Sequence, residues 1–231
     1  MHHCPPHAIA PHTIFFAANL QEAAKLLAEV NEQTPSESAF EDKINQLRLE
    51  RNFGEAIRLL QARQAQFHFA SEIDKGINQV RLATVQRLAG DMGGAKVTAE
   101  KARNTLAPLY RDQPDSFLLA AQMSRAYAAM VEKDMALKEA KRAIMLLPRG
   151  KDTLFGPGWE ENLALVQTMF GENSRAISTL TKLLQTPYYS WWYDQAPITP
   201  ALLRLDPIWD PLRSDPAFQK LCEEKQPVAV K

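Results

Sequence analysis

Cysteine is nearly absent: the 231 residues include only Cys4 and Cys222, at opposite ends of the chain. Two such distant thiols form neither a disulfide framework nor a CxxC metal knuckle, and they suit a reducing compartment, so a cytoplasmic location is expected. Charge of one sign is lacking too, since 27 Lys and Arg balance 27 Asp and Glu. A chain without a net field is not drawn to nucleic acid or to an anionic membrane, and neither is expected as a partner. No apolar run approaches the roughly eighteen residues of a membrane-spanning helix. The opening Met1-His2-His3-Cys4-Pro5-Pro6-His7 has neither the basic nor the apolar region of a signal peptide. Glycine is scarce, with 9 in all, and β-branched residues never gather into the alternating runs that mark strands.

What fills the chain instead is Ala, Leu, Gln, Arg, Lys and Glu, all good helix formers, in a uniform composition with no Gly/Ser or charge-rich linker. One continuous all-α body is expected. Four segments share a grammar of helix, short polar or Gly-containing turn, and a small residue early in the next helix. They are Arg51-Asn52-Phe53-Gly54-Glu55-Ala56-Ile57, Ala89-Gly90-Asp91-Met92-Gly93-Gly94-Ala95, Glu132-Lys133-Asp134-Met135-Ala136-Leu137 and Phe170-Gly171-Glu172-Asn173-Ser174-Arg175-Ala176-Ile177. Ala56, Ala95, Ala136 and Ala176 stand 39, 41 and 40 residues apart, a regularity that marks a repeat. An earlier half-unit puts Ala23 in Asn19-Leu20-Gln21-Glu22-Ala23-Ala24-Lys25, closed by Thr34-Pro35. Only a small side chain fits where two antiparallel helices meet near their turn, and Leu, Ile or Phe fill the wider gaps.

The unit Phe117 to Pro148, with Met123, Ser124, Tyr127, Ala136, Ala143 and the closing Pro148, resembles the tetratricopeptide repeat (TPR) family. The resemblance runs over roughly residues 15 to 187. It implies a right-handed α-solenoid of antiparallel helix hairpins, here with Arg63 and Leu183 where Ala143 predicts Ala, with no Gly in the first helices, and with spacings near 40. The longer spacing predicts longer helices or longer connections.

After Thr186-Pro187 the pattern stops. Aromatics crowd Tyr188-Tyr189-Ser190-Trp191-Trp192-Tyr193, and Thr199-Pro200, Asp206-Pro207, Asp210-Pro211 and Asp215-Pro216 each place a capping side chain before a preset φ, predicting short helices. The stretch from Ile198 to Leu221 resembles the tail that closes TPR regions in bacterial regulators carrying a kinase, cyclase or winged-helix domain. It implies a terminal module of a signalling or regulatory system. The expected organisation is an irregular N-terminus over 1–12, TPR-like repeats over 13–187, and an aromatic linker with a short-helix C-terminal cap over 188–231. Leu202, Leu203, Leu205, Ile208, Trp209, Leu212 and Phe218 supply apolar surface to cover the last hairpin.

Catalytic patterns are missing. Gly90 to Gly94 lacks the Lys and Ser/Thr of a phosphate loop, and no kinase signature occurs. His2, His3, His7, His12 and Cys4 lie in a Pro-broken end, and His68 stands alone. The chain is therefore read as no enzyme, with no cofactor and no metal. A protein or peptide partner is expected in the concave groove lined by first helices, where Asn45, Arg48, Thr84, Arg87, Arg125, Ala128, Glu161 and Thr168 fall. Arg48, Arg87 and Arg125 would form a ladder for acidic side chains or a terminal carboxylate. Tyr189, Trp191 and Trp192 are candidates for an aromatic contact, or for packing under the cap. The alternative is a ligand sensor with a small molecule in the groove or the aromatic pocket. Leu20, Ala24, Leu27 and Val30 form a flank without a preceding helix, suited to an upstream domain or to a homodimer.

Overall fold

The computed structural model describes residues 19–193 and 196–223, and the expected N-terminal segment with His2, His3, Cys4, His7 and His12 lies outside them. Eleven α-helices are present among the described residues: α1 (Leu20–Leu26), α2 (Glu37–Leu49), α3 (Phe53–Gln66), α4 (Glu72–Leu88), α5 (Met92–Asp112), α6 (Phe117–Ala129), α7 (Lys133–Leu146), α8 (Gly156–Met169), α9 (Asn173–Leu183), α10 (Pro200–Leu205) and α11 (Pro216–Glu223). A 3₁₀ helix, Pro207–Leu212, links α10 and α11. No described residue is in a strand.

Neighbouring helices pack in order. α2 with α3, α4 with α5, α6 with α7 and α8 with α9 form hairpins, and the first helices α4, α6 and α8 also touch one another. The expected small residues stand at the joints. Ala23, Ala56, Ala95, Ala136 and Ala176 are each fully buried, and each is the fourth residue of its helix. Each donates its amide to the carbonyl of the residue capping that helix: Asn19, Asn52, Asp91, Glu132 and Glu172 in turn. The half-unit around Ala23 therefore carries the same local geometry as the four complete ones.

The turns repeat as closely as the alanines. Arg51, Gly90, Val131 and Gly171 all have positive φ, at 59°, 84°, 66° and 72°, each five residues before its alanine. The amide of each bonds back to Arg48, Arg87, Ala128 and Thr168, while the next amide reaches Leu47, Gln86, Tyr127 and Gln167. This pair of bonds is the Schellman closure of a helix end, and it satisfies carbonyls the helix leaves open. The residue after the left-handed one then caps the next helix, so the hairpin turns back within three residues.

Repeats near 40 residues long come from the helices and the links between hairpins. α5 has 21 residues and α4 has 17, while the tight turn inside each hairpin stays constant. Contrary to the sequence reading, first helices do carry glycine. A Cβ on Gly76 of α4 would collide with Leu106 of α5, and one on Gly158 of α8 would sit 2.8 Å from the Tyr189 carbonyl oxygen. Arg63 replaces alanine because it has a fixing role. Fully buried in α3, it donates to the Glu32 and Thr34 carbonyls at 2.9 Å each and pairs with Glu37 at 2.8 Å. Its guanidinium also lies 4.2 Å and 3.5 Å from the rings of Phe40 and Phe67.

The C-terminal segment covers the last hairpin. α11 and the 3₁₀ helix pack on α9, the 3₁₀ helix packs on α8, and Leu202, Leu203, Trp209 and Leu212 are fully buried. Pro200, Pro207 and Pro216 open their helices, whereas Pro211 sits inside the 3₁₀ helix, so Asp210-Pro211 starts nothing. At the other end Leu27 is buried, and Leu20 and Val30 pack against the core. The flank expected to be open is thus largely covered, and beside it Leu26 is exposed.

Val131 is β-branched, in the left-handed region, and 56% exposed, so it gains little from burial while its Cβ crowds the backbone. Val131→Gly is expected to raise stability by roughly 1 kcal/mol in urea denaturation.

Candidate functional site

The first helices carry the polar residues that converge. Arg48 is the penultimate residue of α2, and its side chain is only 4% exposed. Its Nη2 lies 3.0 Å from Oδ2 of Asp206, which is fully buried. Trp192 lies against the same guanidinium, with its ring centroid 4.1 Å from the central carbon, and Arg125 of α6 approaches that ring to 5.0 Å. One indole therefore serves two arginines from different hairpins.

Asp206 is saturated with donors. Its Oδ2 accepts from Trp192 Nε1 at 3.1 Å and from the Tyr193 hydroxyl at 2.8 Å, and its Oδ1 accepts from the Ile208 amide at 3.0 Å. The Tyr193 hydroxyl in turn accepts from Trp209 Nε1 at 3.0 Å. The last of the Asp206 bonds is the helix cap anticipated from Asp-Pro. The ion pair to Arg48 has no local sequence signature. Outside the core, Asp210 extends the same junction, taking both Nη atoms of Arg51 at 2.7 and 2.8 Å.

Arg125 is held differently. Its Nε donates to Asn162 Oδ1 at 2.7 Å, Asn162 donates to Ser124 Oγ at 2.9 Å, and Ser124 donates to the Ala121 carbonyl at 2.7 Å. Burial pulls Arg125 down to about 10, against the attraction of Glu161 and Glu41. Glu161, on α8, is 1% exposed. Burial pushes its carboxyl up to about 7; the Ser190 and Tyr188 hydroxyls and Arg125 work against that shift, and the like charge of Asp206 adds to it.

Of the residues expected in the groove, Arg48 and Arg125 lie against the chain's own C-terminal segment, and Asn45 and Thr84 line a recess with its Trp192. Asn45, Arg48, Thr84, Arg125, Glu161 and Thr168 are all buried, as is Ala128. Thr84 and Thr168 donate their hydroxyls to Val80 and Ala164 within their own helices. Arg87 stands apart from the pair: it is half-buried and donates to the Met169 carbonyl at 3.4 Å, and burial lowers its pKa. Its place beside Arg125 is taken by Arg81, which pairs with Glu41. Of the aromatic run, Tyr188, Trp192 and Tyr193 are buried. Tyr189 and Trp191 are each 39% exposed, with Trp191 stacked on Trp159 at 5.4 Å. The close approach at Gly158 lets this run cross α8.

A recess remains between α2, α4 and α6, walled by Trp192, with room for about one water-sized group, about 20 Å³. A wider cleft of about 280 Å³ lies between α3, α4 and α5, lined by Gln61, Gln64, Gln79, Thr98 and Lys101. Among the described residues no cluster of three or more His, Cys, Asp or Glu is arranged to hold a metal ion, and His68 is exposed. None of the described helices is long and apolar enough to cross a membrane.

The fold defines an all-helical protein of consecutively packed helix hairpins, compatible with a helical repeat. Comparison with known protein families and with curated proteins finds no match.

Two outcomes test the site. Removing one partner of a buried ion pair leaves the other charge uncompensated, so Asp206→Ala should cost about 3 to 5 kcal/mol in urea titration and shift tryptophan emission to the red. Glu161 binds its proton more tightly folded than unfolded, so stability is highest below about pH 4.5 for this group and falls as pH rises towards 7. The loss amounts to roughly 3 kcal/mol. Thermal melts of Glu161→Gln should lack that slope between pH 5 and 8, and unchanged pH dependence would assign it elsewhere.

Proposed function

We propose that this chain is a non-catalytic protein-interaction scaffold, a right-handed TPR-like solenoid belonging to a bacterial signalling or regulatory system and working in the cytoplasm. The observation that carries the reading is an interaction made in cis. The face formed by the first helices holds Trp192 and Asp206 of the C-terminal segment through arginine, carboxylate and aromatic contacts. A surface with that chemistry is suited to holding a second polypeptide where its own segment stops. That limit falls at α2 and α4, near Arg81 and Glu41.

The small-molecule sensor reading draws on a different place. The recess beside Trp192 is far below the roughly 300 to 1,000 Å³ of ligand sites, whereas the amide-lined cleft of about 280 Å³ approaches their lower bound. A sensor would therefore use the cleft between α3, α4 and α5 in preference to the aromatic run.

Affinity capture from lysate with wild type and Arg81→Glu separates these readings. Arg81 is 19% exposed at the edge of that surface, where it pairs with Glu41. A protein captured by wild type, weakened by Arg81→Glu, and protecting α2 and α4 amides from hydrogen exchange is the expected result. Equal capture by both forms, or protection confined to α3 and α5, would overturn the assigned surface.

A further inference from the structure

Charge and hydrogen-bond donors are out of balance at the recess between α2, α4 and α6. Three arginines line it: Arg48, Arg81 and Arg125. Two have a carboxylate at ion-pair distance, Arg48 with Asp206 and Arg81 with Glu41. Arg125 has none among the described residues, and its one hydrogen-bonded side-chain partner, Asn162, is neutral. The nearest charge opposing it from α8 is Glu161, whose carboxyl is itself held near 7 by burial, so its compensation is incomplete at neutral pH.

Unpartnered donors add to the imbalance. Asn45 is 4% exposed and its Nδ2 has no acceptor, and Arg48 is 3% exposed with an unpartnered Nε. Both line the recess. A buried donor without an acceptor costs about 1 to 3 kcal/mol, and more when charged. An anionic oxygen is the group that would satisfy both deficits at once. Trp192 closes the recess from the side, and the Arg81 and Glu41 side chains, 19% and 16% exposed, border its mouth.

We infer that this recess is an oxyanion site that takes a single carboxylate group, held by Arg125, Arg48 and Asn45 behind the Arg81–Glu41 pair. Its room of about 20 Å³ takes one oxygen of the carboxylate of an Asp or Glu side chain or a chain terminus, with the rest of the group in the mouth, and excludes a whole metabolite. Free acetate presents the same chemistry. The inference deepens the interaction reading by naming what the partner inserts, and it adds a dependence: because Trp192 belongs to the C-terminal segment, the site is complete only when that segment is docked.

The test uses the purified full chain with sodium acetate and sodium chloride at matched ionic strength, read by thermal melting and tryptophan fluorescence. Acetate should give a saturable rise in Tm that chloride does not. Asn45→Leu, which removes an unpartnered donor at little cost to folding, should retain the wild-type Tm without acetate and weaken acetate binding about tenfold, the worth of one hydrogen bond to a charged group. Arg125→Gln, melted alongside, should abolish the acetate effect. Equal responses to acetate and chloride, or acetate binding unchanged in both variants, overturn the site. An acidic pentapeptide then separates the sources: tighter binding than acetate supports a protein ligand. If the peptide binds no better than acetate, the oxyanion site stands for a free small anion and the interaction reading falls.

Discussion

The Arg48–Asp206 ion pair joins the start of the stack to its end. It connects α2, in the first complete hairpin, to the segment after the last one, and neither charge has solvent to fall back on. Burying two ions is costly unless their remaining donors and acceptors are used. Asp206 meets that condition with three hydrogen-bond donors besides the arginine, whereas Arg48 has an indole face against it and an Nε without a partner. Such a pair contributes less to net stability than to uniqueness: other dockings of the C-terminal segment would strand a charge. The bidentate Arg51–Asp210 contact lies on the same seam in solvent, where it orients more than it stabilises.

The repeat supplies the frame that makes this closure reachable. Each hairpin uses the same Schellman turn and the same alanine joint, so successive first helices present their inward residues at one level. Arg48 and Arg87 are equivalent in that frame, each three residues before the left-handed position, yet they end differently. Arg48 meets Asp206 and Trp192, while Arg87 finds a backbone carbonyl. Equivalence in the repeat sets where a side chain points. What it meets depends on the segment laid across it.

That segment also changes the character of the first-helix face: Arg48 and Arg125, which would be solvated on an open face, are buried against Trp192 of the chain's own aromatic run. Glycine at position 158 is one physical requirement, since a side chain there would press on the Tyr189 backbone. The imbalance at Arg125 is the residue of the same event: Trp192 covers the arginine without bringing a carboxylate to it.

Helices, turns, hairpin pairing and the cap were legible in the residues, because they rest on local rules. Alanine spacing, Gly90 and Gly171 in turns, and Thr199 and Asp206 before proline act within one helical turn. The positive φ at Arg51 and Val131 had no such marker; it follows from their register with Gly90 and Gly171. The site was half legible. Periodicity puts Arg48, Arg125 and Asn45 on the right face, but it favours Arg87 over Arg81, and the residues around Asp206 signal only a cap. Periodicity reports which side of a helix a residue occupies, and cannot report that a segment some 150 residues later will fold onto that side. Local composition therefore set the all-helical repeat and its ends. The burial of the arginines, the pairing of Arg48 with Asp206 and the surplus charge at Arg125 were decided by tertiary packing, because each depends on groups brought together only when the stack closes on its own tail.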